Sequence, residues 1–170
     1  DAAVPIRFYD KTAAVRAIVD STVNRPIDGV VAVGDRPAVI GSLAARAFAL
    51  PFHSPKAACL AANKLMTRVR LQEAGLPGLW FRSVPLDVDS AALAAAVTYP
   101  CVIKPLVLAA SRGVIRTNTP ADLQVGVARL ARLLRTPDIR SLRDPANDAI
   151  LVEEYVAGSE VAVEGLVTNG

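Results

Sequence analysis

The sequence predicts an α/β chain in two parts: a parallel α/β piece, then an α+β piece. Three observations carry this. Apolar runs and helical patterns alternate through the first fifty residues. Leu76-Pro77-Gly78 interrupts that pattern, and beyond it the elements become short strands set among helices. The length of 170 residues allows one ordinary domain or two small ones with a real core.

Val4 to Tyr9 is a short apolar run that fits a strand, and Lys11 to Thr22 follows with helical spacing. Asp28-Gly29 opens Val30-Val31-Ala32-Val33, a continuous apolar run of the kind buried on both faces of a parallel sheet. Gly34-Asp35-Arg36-Pro37 turns into an alanine-rich helix from Ala38 to Phe48. Ser54-Pro55 offers an N-cap and a proline at the first helical position. That helix runs to Ala74, with a break near Asn63 and Gly75 as its stop. Leu79 to Val84 reads as a strand, Ser90 to Val97 as a short helix and Cys101 to Lys104 as a buried strand. Val114 to Thr117 returns from a tight loop. Thr119-Pro120-Ala121-Asp122 then opens a helix reaching Leu134 with capping-box character. Arg135 to Asp148 is expected to be loop, and Ala149 to Tyr155 and Glu160 to Val167 are expected to be strands around Ala157-Gly158. The expected division is 1–53 for the α/β part, 54–78 for a helical linker and 79–170 for the second part. Asp1 is no start methionine, no leader pattern precedes Val4, and the last strand lacks a partner, so a piece of a longer protein is expected.

Composition removes several function classes. With 52% hydrophobic and 21% charged residues the chain is too apolar for intrinsic disorder, yet no run is long enough to span a bilayer. A net charge of +3 is too slight to imply nucleic acid, and the arginines from Arg129 to Arg143 are diluted by Asp138, Asp144 and Asp148. Cys59 and Cys101 sit among apolar neighbours and read as core residues of a reducing, cytoplasmic compartment. A single histidine, His53, leaves no His-rich metal site and little basis for a Ser-His-Asp triad. Trp80 and Phe81 read as core. There is no G-x-x-x-x-G-K-[ST] and no G-x-G-x-x-G.

Two segments hold the chemistry. In Val102-Ile103-Lys104-Pro105 a lysine ends an apolar strand. A lone lysine there would ordinarily snorkel to water. The loop that follows, however, carries Ser111-Arg112-Gly113 and returns directly into a strand, so backbone N–H groups, a hydroxyl and the charges of Lys104 and Arg112 can converge on an anion. In Leu151-Val152-Glu153-Glu154-Tyr155-Val156 two adjacent carboxylates interrupt an apolar strand, and one must face inward. An edge hairpin with a solvated acidic face is the plain alternative.

Taken in order, these segments resemble the ATP-grasp superfamily of ATP-dependent ligases. Asn63-Lys64-Leu65 with Leu71 to Pro77 is similar to the helix before its ATP-binding domain. By that resemblance Lys64 and Lys104 reach nucleotide phosphate, and Ser111-Arg112-Gly113-Val114 ends the loop over the triphosphate. Glu153-Glu154-Tyr155-Val156 is the hinge, where the backbone of Glu154 and Val156 meets the adenine edge with Glu153 close to the base. Glu160, in Gly158-Ser159-Glu160, binds ribose. The resemblance spans roughly 28 to 170. It departs from the family in the loop Leu106 to Ala110, which lacks the usual glycines, and in having no counterpart of the magnesium ligands before Gly170.

The resemblance therefore implies a parallel α/β pre-ATP-grasp end followed by the first part of an ATP-grasp domain, cut after the hinge. It implies an ATP-dependent ligase that activates a carboxylate as an acyl phosphate for an amine or similar nucleophile. ATP and a small carboxylate would be its partners and Mg2+ its cofactor, with ligands beyond Gly170. No nucleic acid and no membrane are expected, a homo-oligomer is admissible, and the fragment alone is expected to be inactive. Two other classes stay open: a module that binds a nucleotide or small ligand without making a bond, and a doubly wound oxidoreductase or receiver-type regulator. The last leaves the lysine strand and the double glutamate unexplained.

Overall fold

The computed structural model describes residues 3–165. Helices α1 (Lys11–Asp20) and α2 (Asp35–Ala47) pack together, followed by α3 (Pro55–Ala61) and α4 (Lys64–Glu73). Strand β1 (Phe81–Pro85), α5 (Ser90–Ala95), β2 (Cys101–Pro105), β3 (Ile115–Thr117), α6 (Pro120–Leu134), α7 (Pro137–Arg140) and β4 (Ala149–Glu154) complete the order. The mixed α/β class is borne out, and its sheet is antiparallel throughout, in the order β1-β4-β2-β3.

Local chemistry explains the helix ends. Ser54 Oγ accepts from Ala57 N–H at 3.1 Å with Pro55 at the first position. Asn63 Oδ1 accepts from Leu65 and Met66, so the expected break is the N-cap of α4. Gly75, at φ +67°, closes α4 with Leu76 N–H on the Leu71 carbonyl and its own N–H on Gln72, a Schellman arrangement. Thr119 Oγ1 accepts from Asp122 N–H at 3.1 Å, while Asp122 Oδ2 takes Thr119 N–H at 3.0 Å. Thr119→Ala is expected to lower stability by about 1 kcal/mol, read as a fall in the urea midpoint at unchanged slope.

One face of the sheet carries the core. Cys101, Ile103, Ile150, Val152 and Val84 meet Leu93 of α5, Leu123, Leu130 and Leu134 of α6, and Ile139 of α7. Each fully buried leucine or isoleucine there supplies about 1.5–3 kcal/mol of transfer free energy. Trp80 packs against the edge of this cluster, as its apolar setting suggests. Gly126 lets α6 approach, since a Cβ there would lie 2.7 Å from Ile103 Cδ1.

Four expectations are corrected. The segments 4–9 and 30–33 form no ladder. Residues 30–33 do alternate: Val30 and Ala32 lie on α2 at Gly41, whereas Val31 and Val33 are 88% and 83% exposed. A strand exists only where a neighbour takes its backbone groups, and among the described residues none lies beside these. The strand expected from Glu160 is absent over residues 160–165, where Val161 and Val163 are exposed and have no face to pack on; Leu166 and Val167 lie outside the described residues. Residues 135–148 are not simply loop. Thr136-Pro137 and Asp144-Pro145 open α7 and a 3-10 turn (Pro145–Asp148), seated by the fully buried Ile139. Finally, α2 begins at Asp35, three residues before Ala38, because Pro37 falls in its first turn, where no N–H is needed.

Among the described residues no helix is long and apolar enough to cross a membrane. Cys101 is buried and Cys59 partly so, and both are free thiols.

Candidate functional site

The site lies on the sheet face opposite the core. Lys104 pairs in register with Leu151, and Glu153 lies two residues further along the same face of β4. Lys104 and Glu153 are therefore diagonal neighbours within reach of long side chains. Lys104 Nζ donates to Glu153 Oε1, and Glu153 is 4% exposed. The inward-facing carboxylate of the double glutamate is thus Glu153, while Glu154 is exposed.

Helix α4 closes over this pair. Its N-terminus is fixed by Lys64 N–H on the Leu106 carbonyl at 2.9 Å, and Lys64 Nζ donates to the Leu108 carbonyl at 2.6 Å. One turn later Arg68 Nε donates to Glu153 Oε2 at 3.0 Å. Arg68 joins this cluster, although no motif singles it out. Its signal was present in the sequence as a cation four positions after Lys64, hence on the same helix face.

Three cations, Lys64, Arg68 and Lys104, therefore gather about one buried carboxylate. Burial and then the charge of Lys104 pull the Lys64 ammonium below the ordinary lysine value, against the opposing pull of Asp35 and Glu153. Positive charge in excess of its partners, and already costly to hold, favours an incoming anion.

Other expected residues stand apart from this cluster. In the loop after β2, Ala110 and Ser111 adopt φ +53° and +54°, and Arg112 N–H returns to the Ala109 carbonyl at 3.1 Å. This is a type I′ geometry without the usual Asn-Gly. Arg112 is directed at Asp138 of α7, with Nη2 to Oδ2 at 2.7 Å. The Thr136 hydroxyl and then Arg112 hold the Asp138 carboxyl down at about 2. Gly113, at φ +81°, is packed against Pro105, Leu130 and Leu133. In the expected hinge, Glu154 N–H donates to the Trp80 carbonyl at 3.1 Å, Arg116 of β3 sits 4.0 Å over the Tyr155 ring, and Val156 and Glu160 are exposed. No cluster of three or more His, Cys, Asp or Glu among the described residues could hold a metal ion.

Residues 97–170 match the family model described as the ATP-grasp domain. Over 107 residues the chain is 29% identical to a D-alanine–D-alanine ligase of Marinobacter nauticus, covering 63% of this chain and 29% of that protein. Over 107 residues it is 32% identical to a phosphoribosylamine–glycine ligase of a Synechocystis species, covering 63% and 23%. The chain thus spans less than a third of the length of either relative. Among solved structures it is similar to an L-amino acid ligase from Bacillus licheniformis, with a TM-score of 0.69 at 24% identity, over 88% of this chain and 34% of that one. It is also similar to a D-alanine–D-alanine ligase from Helicobacter pylori, with a TM-score of 0.52 at 16% identity, over 73% and 33%. These two likenesses concern the fold.

Proposed function

We propose that this chain, which belongs to the ATP-grasp superfamily, is the nucleotide-binding part of an ATP-dependent ligase joining a carboxylate to an amine or similar nucleophile. The observation that carries the reading is the gathering of Lys64, Arg68 and Lys104 about buried Glu153 on the sheet face that α4 covers, with Lys104 and Glu153 in the segment that matches the family. The ligase activities printed for the relatives agree with it.

In the proposed reaction a carboxylate oxygen attacks the γ-phosphorus of ATP and the bond to the β–γ bridging oxygen breaks. ADP leaves, and the acyl phosphate remains. The amine then attacks the acyl carbon, expels phosphate and loses a proton. The protein's work is charge neutralisation and positioning. Lys64 and Lys104 exchange the Leu108 carbonyl and the Glu153 carboxylate for phosphate oxygens, and the loop 106–113, with Ser111, Arg112 and Gly113 at its end, excludes water. Because Glu154 N–H is already held by Trp80, its part at the adenine edge falls to its carbonyl, alongside Val156 N–H. Tyr155 keeps the hinge against Arg116, and Glu160 takes the ribose. The described residues offer magnesium no ligand cluster, so its site is proposed to lie outside them.

The test is an assay of the intact protein with ATP, Mg2+ and a panel of amino acids as carboxylate and amine. ADP and phosphate should form only with a carboxylate present, and hydroxylamine should trap a hydroxamate. AMP and pyrophosphate would rule out the acyl phosphate. ATP binding with no turnover across the panel would return the chain to a binding module.

A further inference from the structure

We propose that Arg68 is a positioning residue for nucleotide binding, holding Glu153 so that Lys104 stays available to phosphate; this rests on the ATP-binding reading above. Glu153 is buried with both oxygens engaged, Oε1 by Lys104 and Oε2 by Arg68. The cationic side chains are 14% and 27% exposed, so both charges are largely shielded from water. A buried carboxylate with a single cation forms a closed pair, and a phosphate must break that pair to win the lysine. With Arg68 on Oε2, the charge of Glu153 is shared and less of Lys104 is committed. The planar guanidinium suits this role better than a second ammonium, because its fork fixes the direction of the bond.

The same contact fixes geometry. Arg68 lies one turn from Lys64 on α4, whereas Lys104 and Glu153 lie on adjacent strands. Arg68–Glu153 is therefore a side-chain tie between the helix carrying one lysine and the sheet carrying the other. It sets the distance between two charges that must meet one polyphosphate.

The experiment measures the ATP dissociation constant of the intact protein calorimetrically for wild type, R68A, R68K, E153Q and R68A/E153Q. R68A should weaken ATP about tenfold and R68K should recover only part of that loss. In the E153Q background R68A should cost less than twofold, because Arg68 acts through Glu153. An equal loss in both backgrounds would overturn the proposal, since Arg68 would then touch the nucleotide itself. So would a lowered melting temperature in R68A with ATP affinity unchanged well below melting, the mark of a purely structural tie. R68M, which keeps the stem packed, carries the same comparison if R68A fails to fold. Wild type that binds no ATP would remove the functional reading and this inference together. Wild-type binding matched by R68A would remove the inference alone.

Discussion

Lys104→Ala is expected to weaken ATP binding by the intact protein about 10- to 100-fold, the value of one or two charge-assisted hydrogen bonds made in a partly dry site. The Lys104 side chain is more enclosed than that of Arg68, 14% against 27% exposed, and it emerges from the centre of the sheet between β4 and β3. Part of the loss is offset. Burial first and the charge of Lys104 second depress Lys64, so removing Lys104 lets the Lys64 pKa rise part of the way. Binding that needs the Lys64 ammonium is lost as pH rises through that pKa, so the alkaline limb of ATP affinity should move to higher pH in the variant. Lys104→Met, which retains the packing of the stem, should show the same affinity loss with a smaller change in melting temperature. Wild-type affinity in both variants would dismiss Lys104 as a phosphate ligand.

What the sequence made legible divides by range. The N-caps at Ser54 and Thr119, the break at Asn63 and the stop at Gly75 involve bonds across two to five residues, so the residues that make them are adjacent in the text. The site depends on longer pairings. Lys104 and Glu153 are 49 positions apart and Arg68 and Glu153 are 85 apart. Their meeting is decided by a register that no local pattern states. Alternation showed that one of Glu153 and Glu154 must face inward; only the pairing of Lys104 with Leu151 selects Glu153. The runs at 4–9 and 30–33 failed in the opposite sense. Their composition is that of strands, but a ladder belongs to two segments, and the second cannot be read from the first. The helix α7 was obscured by its charges, although Thr136-Pro137 is the same start signal as Ser54-Pro55.

Gly113→Ala is expected to destabilise the fold by about 2–4 kcal/mol, from left-handed strain and overpacking together. The residue sits at φ +81°, and a Cβ would fall 2.8 Å from Leu133 Cδ2, 2.9 Å from Pro105 Cγ and 3.0 Å from Leu130 Cδ2. The two leucine methyls can swing aside. The ring of fully buried Pro105, at the end of β2, cannot, so the loop end must shift away from β2. This assigns Gly113 a packing role: it lets the end of the loop lie flat on α6, whatever the rest of the loop does above a nucleotide. Ala110→Gly provides the contrast. Ala110 is exposed and also left-handed, at φ +53°, so glycine there relieves strain without touching the core. Its effect on stability should stay within about 1 kcal/mol, because the relief is offset by the greater freedom of the unfolded chain. Urea unfolding of both variants separates the two costs. If Gly113→Ala loses no more than about 1 kcal/mol, as backbone strain alone would give, the Pro105 contact is not the constraint that holds the loop down.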